Sequence, residues 1–314
     1  MKKYIGKRIL MMIPVLLGVA FLIFAIMNFT PGDPASIILG ANATPDTINE
    51  LHRKLGLDQP FLSRFFNYIK GIVTRFDFGT SYINGSDVKH EILVRFGYTF
   101  RVAILSMIFA LGFGIPLGIT AAVNRNTWKD TSSMTVALLG ISMPTFWFAQ
   151  IMSIVFALKL GLFPASGVGG FKHYVLPCLA VSMMGIACMA RQTRSSMLEV
   201  IRSDYITTAR AKGQEERKVI YKHALRNALI PVVTQAGATF GILLGGTLVA
   251  ETVFSIPGLG TYMVTAINSR DYPAIQSAVI FIAAVFGMVM LLVDILYTVI
   301  DPRIRAEFTK GGNK

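Results

Sequence analysis

The sequence predicts an all-α integral membrane protein: six transmembrane helices, both termini cytoplasmic, and a small helical insertion outside between the first two. Three observations carry that prediction. Residues of the AVILMFWYC set make up 53% of the 314 residues, only 15% are charged, and the mean hydropathy is +0.57. A soluble domain is about 25% charged, so this chain has too little polar surface to cover a water-soluble fold of its size. The charges are also bunched, leaving long uncharged runs, and the basic residues gather on alternate connections. The same composition excludes a disordered chain, a collagen-like repeat and a disulfide scaffold.

A bilayer core of about 30 Å needs roughly 20 apolar residues at about 1.5 Å per residue. The stretches 9–29, 100–123, 135–158, 174–190, 228–250 and 274–300 meet that need. Pro14, Pro116, Pro144, Pro177 and Pro231 fall in or near them, and such breaks are tolerated where neighbours re-satisfy the freed carbonyls. Gly112-Phe113-Gly114 and Gly245-Gly246 permit close helix approach. With the N-terminus inside, the four cytoplasmic connections hold nineteen Lys and Arg, against three on the short outside loops 159–173 and 251–275. That asymmetry sets the orientation. The start, Met1-Lys2-Lys3 to Lys7-Arg8 and then an apolar run, imitates a secretory signal. Its apolar stretch is too long for one, and the small-x-small candidate Ala41-Asn42-Ala43 lies well past its end, so an uncleaved signal-anchor helix in a bacterial plasma membrane is expected.

Residues 31–98 form an extracytoplasmic segment with structure of its own. Thr44-Pro45-Asp46 reads as an N-cap, a proline at the first helical position and an acid in the first turn, and Gly56 ends that helix after Leu55. A second helix starts at Asp58-Gln59-Pro60, with Phe61, Phe65, Ile69, Ile72 or Val73, and Phe76 at helical spacing. Asp77-Phe78-Gly79-Thr80-Ser81 and Asn84-Gly85-Ser86 are turns. The segment reads as a cap on the outer ends of the spans or as a docking surface for a soluble partner. The chain thus divides into 1–30, 31–98, a core 99–305 and a tail 306–314.

The connection 191–227 is the most informative stretch. Its first half reads as a helix with Leu198, Ile201, Tyr205 and Thr208 on one face. Gly213 interrupts it, and a second helical stretch places Val219, Ile220, His223 and Ala224 on one side. Helix, glycine, helix between two spans makes a rigid elbow, able to transmit a push.

Asp204-Tyr205-Ile206-Thr207-Thr208-Ala209-Arg210-Ala211-Lys212-Gly213, followed by His223-Ala224-Leu225-Arg226-Asn227-Ala228-Leu229-Ile230-Pro231, resembles the signature loop of bacterial ABC-importer permeases of the dipeptide/oligopeptide/nickel family. Thr207-Thr208-Ala209 stands for the wider class's Glu-Ala-Ala, and His223-x-Leu225-Arg226 replaces its Ile-x-Leu-Pro end, departures typical of the peptide subgroup. Pro31-Gly32-Asp33-Pro34, Leu55-Gly56-Leu57-Asp58-Gln59-Pro60, Asp77 to Ser81, Glu251 to Gly260 and Asp301-Pro302-Arg303 resemble the family in the same order. The resemblance implies a type I importer permease fold, working with a second homologous permease, two ATP-binding subunits that bind ATP and magnesium, and an extracytoplasmic solute-binding protein. It implies that Tyr205, Thr207, Thr208, Ala209, Arg210, Ala211, Lys212, Gly213, Gln214 and Glu215 form the loop that meets an ATPase, with Arg210, Lys212 and Glu215 as polar contacts. The implied cargo is a dipeptide or oligopeptide, with nickel or another small solute as the alternative.

The chain has no G-x-x-x-x-G-K-[ST] phosphate cradle, so no nucleotide cofactor and no ATP hydrolysis are expected of it, and the basic excess serves membrane orientation, not nucleic acid. His52, His90, His173 and His223 lie in separate segments, and Cys178 and Cys188 have no ligand spacing, so no metal site is expected. Gly140-Ile141-Ser142 has the form of an intramembrane protease serine, but no histidine lies in any span to act as its base. Asp294, within the last span, is either structurally hydrogen-bonded or snorkelling to the cytoplasmic side, or else part of a gate. A secondary carrier working without ATP is the more distant reading, and it leaves the elbow unexplained.

Overall fold

The structure, a computed structural model, describes residues 2–40 and 43–300. Asp301-Pro302-Arg303 and the tail 306–314 lie outside the described residues, as do Ala41 and Asn42 of the small-x-small candidate. Apart from one isolated bridge between Thr80 and Asp87, regular structure among the described residues is helical. The order is α1 (Lys2–Phe29), α2 (Pro34–Leu39), α3 (Pro45–Leu55), α4 (Phe61–Arg75), α5 (Val88–Val123), α6 (Trp128–Ser142) and α7 (Thr145–Met152). There follow α8 (Lys172–Ile201), α9 (Asp204–Ala211), α10 (Glu216–Lys218), α11 (Leu225–Val253), α12 (Leu259–Asn268) and α13 (Tyr272–Ile300). Two π-helical pieces, Ser153–Lys159 and Val219–Ala224, extend α7 and join α10 to α11. Five of the described helices are long and apolar enough to cross a membrane, six if one bent pair counts as a span.

That bent pair is where the expected third span departs from a straight helix. Trp128–Ser142 and Thr145–Lys159 meet at 102°. Pro144 has no N–H for the helix ladder and forces its predecessor out of the helical region, and Met143 accordingly sits at φ −88, ψ 129. Pro14, Pro116, Pro177 and Pro231 lie inside helices that continue through them. Several helices outrun their apolar cores: α5 begins at Val88 and α8 runs on to Ile201.

The chain folds as two units. The first comprises the chain up to residue 99 together with 257–287. Here Pro31-Gly32-Asp33-Pro34 proves to be a helix-capping device. Gly32 takes φ +115 against the Arg270 guanidinium, which donates to the Pro31 carbonyl at 2.7 Å. The Asp33 carboxylate caps α2 by accepting from the Ser36 amide at 3.0 Å, and it pairs with His52 of α3 at 2.7 Å. Burial pulls the Asp33 carboxyl upward, but hydrogen bonds from His52 and Ser36 outweigh it and hold the group below its ordinary range. α3 starts with Thr44 and Thr47 capping each other and stops at Gly56, φ +66. On α4, Phe61, Phe65, Ile69 and Ile72 pack with Ala20 and Phe24 of α1 and Ile280 of α13. Val73 and Phe76 instead face outward, Phe76 as the left-handed residue that ends the helix. The following turn is tied to the start of α13: the Ser81 hydroxyl and Tyr82 amide donate to Asp271, and Ser277 donates to the Phe78 carbonyl at 2.9 Å. The connection 251–275 is not a plain loop. It contains α12, whose Leu259 amide donates to the Thr99 hydroxyl at 2.8 Å, and Leu259 is wholly buried with Val88, Ile92 and Ala278.

The second unit comprises residues 100–256 and 288–300 of the described chain, and α8 is its centre. A Cβ at Gly114 would lie 2.7 Å from the Ile186 carbonyl, and one at Gly118 would lie 2.6 Å from the Ala190 carbonyl, so α5 meets α8 backbone to backbone. Gly185 of α8 makes room for the Ala110 side chain, 2.8 Å from where a Cβ would stand, and Gly140 of α6 faces Met183. Arg194 of α8 clasps the buried carboxylate of Asp130 on α6 with two hydrogen bonds of 2.7 and 2.8 Å.

Gly118→Ala therefore has a sign opposite to the usual one. In an open helix it adds about 1 kcal/mol; here the overpacked methyl is expected to cost about 1–3 kcal/mol, seen as a lower melting temperature of the purified chain. Gly112, with nothing near its missing Cβ, is the control: Gly112→Ala should leave the melting temperature equal or higher.

Candidate interaction site

The elbow is built where α8 ends. Ser203 leaves the helix in extended conformation (ψ 150), its hydroxyl donating back to the Val200 carbonyl at 2.6 Å. Its own carbonyl then accepts from Ile206 and Thr207, at 3.0 and 3.2 Å, and opens α9. Asp204 in the first turn and Arg210 in the last suit the helix dipole. The single helix expected through 198–208 is thus two helices meeting at Arg202–Ser203. That break rotates the inward face by one residue. Ile206 and Ala209 are buried, while Tyr205 and Thr208 are exposed.

Ile206 and Ala209 pack with Ile119 and Ala122 of α5, Met197 of α8, Val219, Ile220 and Ala224 of the π-helical piece, and Ala228 of α11. The elbow is bolted to the ends of three long helices. Ala209 consequently belongs to the core and not to the outward surface expected of it. The turn after α9 needs Gly213, which adopts φ +72 and whose amide donates to the Arg210 carbonyl at 2.9 Å. Nothing lies within 4 Å of where its Cβ would stand, so the requirement is conformational rather than steric. Glu215 returns to extended backbone, and its carbonyl accepts from Val219 at 3.0 Å.

Three side-chain ties hold the two arms together. Arg210 binds Glu216 through Nε and Nη2, at 3.0 and 2.7 Å. Gln214 Oε1 pairs with His223 Nε2 at 2.7 Å, and Asn227 donates to the Tyr205 hydroxyl at 2.7 Å. Sequence spacing revealed none of these, because each joins residues six to twenty-two positions apart across a turn. Donating to the Glu216 carboxylate holds the Arg210 guanidinium above its ordinary value. Tyr205, Thr207, Thr208, Arg210, Ala211, Lys212, Gly213, Gln214 and Glu215 are all exposed, and Arg217, Lys218 and Lys222 extend the basic surface beside them. An open hollow runs along Gly213, Gln214, Glu215, Lys218, Lys222 and His223. The arrangement offers a stiff, basic, protruding surface and no nucleophile–base pair. Among the described residues no three His, Cys, Asp or Glu side chains converge as metal ligands would.

Comparison with known proteins covers nearly the whole chain. Residues 114–306 match the family described as binding-protein-dependent transport system inner membrane component, and residues 1–103 match the N-terminal part of such membrane components. A dipeptide transport system permease protein of Alkalihalophilus pseudofirmus is 43% identical, the match covering 97% of this chain and 100% of that protein. A glutathione transport system permease protein of Escherichia coli is 45% identical over 97% of this chain and 99% of its own length. Among solved structures, the inward-facing MetNI methionine ABC transporter aligns with TM-score 0.60 at 18% identity, covering 69% of this chain and 99% of that one. At that identity the likeness speaks for the fold alone.

Ile206→Ala should loosen the elbow without touching its outer surface. Removing a fully buried branched side chain costs about 2–5 kcal/mol, so amide exchange across 204–211 should accelerate strongly while exchange in α3 stays unchanged.

Proposed function

The chain belongs to the family of binding-protein-dependent transport system inner membrane components, and from that premise we propose that its elbow is the surface through which ATP-binding subunits drive it. It is a multi-pass inner membrane protein, a permease subunit of an ABC importer with the type I permease fold. The observation that carries the coupling role is the elbow's division of labour. Ile206 and Ala209 lock it into the ends of α5, α8 and α11, and the other face stands clear. A load applied to Tyr205, Thr207, Thr208, Arg210, Lys212 or Gln214 passes into those three helices with little slack. Arg210, Lys212 and Glu215 are the polar contacts with the ATPase.

In this reading both termini, the connection 124–132 and the elbow are cytoplasmic, as their nineteen basic residues favour. A second homologous permease completes the pathway, and a binding protein delivers solute to the outer side. The chain itself is non-catalytic: ATP and magnesium belong to two partner subunits, since no phosphate cradle occurs in this sequence. The cargo is a small peptide, a reading supported by relatives named for dipeptide and glutathione transport.

Gly213→Val tests the lever. A β-branched residue strains the left-handed turn by about 1–2 kcal/mol and bulges into open space. The variant should insert and assemble normally, yet its uptake of labelled dipeptide in proteoliposomes with the whole complex should fall at least about tenfold, the factor that about 1.4 kcal/mol represents. Unchanged uptake would remove the elbow from the coupling role.

A further inference from the structure

Within the first unit, away from the elbow, lies a cavity of about 330 Å³ between the ends of α1, α3 and α4, the turn at Phe78–Gly79, and the start of α13. Its walls include the rings of Phe24, Tyr82 and Tyr272. Two polar side chains in it are under-used. Arg64 of α4 is half-buried, stacks on the Phe24 ring at 5.6 Å and makes one long hydrogen bond, 3.4 Å to the Leu57 carbonyl. Gln276 of α13 is 5% exposed, lines the cavity, and makes no side-chain hydrogen bond to another described residue.

Among the described residues, Arg64 is the one charged member of the cavity lining. No aspartate or glutamate lines the cavity. The nearby Asp271 carboxylate is occupied by the Ser81 hydroxyl and the Tyr82 amide. Burial pushes the Tyr82 phenol above its ordinary value while the Arg64 charge pulls it back, which places that charge close to the phenol. A planar guanidinium with most of its fork open, an amide and a phenol around a partly aromatic hollow match the acceptors of an oxyanion attached to a compact organic body.

We propose that this cavity is a binding site for an oxyanion, carboxylate or phosphate, in which Arg64 supplies the countercharge and Gln276 a directing hydrogen bond. The site is independent of the elbow and of the coupling it performs. The oxyanion comes either from a small soluble molecule or from a phospholipid headgroup, and the test separates these sources.

The full chain is placed in phosphatidylcholine nanodiscs and titrated calorimetrically with inorganic phosphate and with N-acetylphenylalanine. In parallel, native mass spectrometry counts phospholipid retained after release from discs containing phosphatidylglycerol. Saturable binding in the titration marks a soluble ligand, and stoichiometric retained lipid marks a headgroup. In either arm Arg64→Gln should weaken binding at least about tenfold, as loss of a charge-assisted hydrogen bond does. Gln276→Met, which keeps the volume, should weaken it by a smaller factor. If Arg64→Gln does not fold, Arg64→Lys, which keeps the charge but not the fork, should fall between wild type and Gln276→Met or below both. No binding in either arm, or binding indifferent to both positions, overturns the proposal, and neither result bears on peptide uptake.

Discussion

Everything in the second unit depends on how closely its helices approach α8. At Gly114 and Gly118 of α5 missing side chains let main chains touch, and at Gly185 of α8 the missing side chain makes room for Ala110. In lipid there is no hydrophobic drive to hold helices together, because acyl tails are as apolar as leucine. Contact area at short range, and the few polar pairs that can form, must do it instead. The Arg194–Asp130 clasp is such a pair, with the carboxylate almost fully buried. Breaking one partner of a buried pair is far more damaging than never having had it. Glycine contact and clasp together make α5, α6 and α8 behave as one body.

That rigidity gives the elbow its meaning. α8 continues past its apolar core to Ile201, turns at Ser203, and places α9 against the ends of α5 and α11. A loop with only water beneath it would absorb displacement in its own dihedrals. This one has Ile206 packed in one apolar cluster with residues of α5, α8, α11 and the π-helical piece, and its arms are cross-tied by Arg210–Glu216, Gln214–His223 and Tyr205–Asn227. Interiors at native packing density transmit strain instead of dissipating it.

Much of this was legible in the sequence, and the reasons are local. Length and hydropathy located the apolar cores of the spans because the bilayer fixes their extent. Thr44-Pro45 and Gly56 bounded α3 correctly because caps act through neighbours within one turn. Gly213 marked its turn because a left-handed residue leaves a glycine signature. What the sequence hid was decided at a distance. The face of α9 depends on the break at Ser203, whose hydroxyl bonds the Val200 carbonyl, and a one-residue shift there exchanges Thr208 for Ala209 as the buried residue. Helix α12 was concealed by its position in a short connection, and it is fixed by Thr99, which is 160 residues away in sequence. The cavity that Gln276 lines, drawn from separate stretches of the chain, has no linear signature at all.

The corner at Met143–Pro144 carries a last consequence. Where two helices meet at 102°, the final carbonyls of one and the first amides of the other lose their ladder. The Ser142 hydroxyl does not help, since it donates back to the Leu138 carbonyl at 3.0 Å, within the last turn of α6. Hydrocarbon offers nothing to the groups so freed, and unwound main chain at membrane depth survives only beside protein or a wet lumen. Ser142, Phe146 and Trp147 are uncovered in the single chain. In a membrane that knee therefore needs protein or water beside it, not acyl chains.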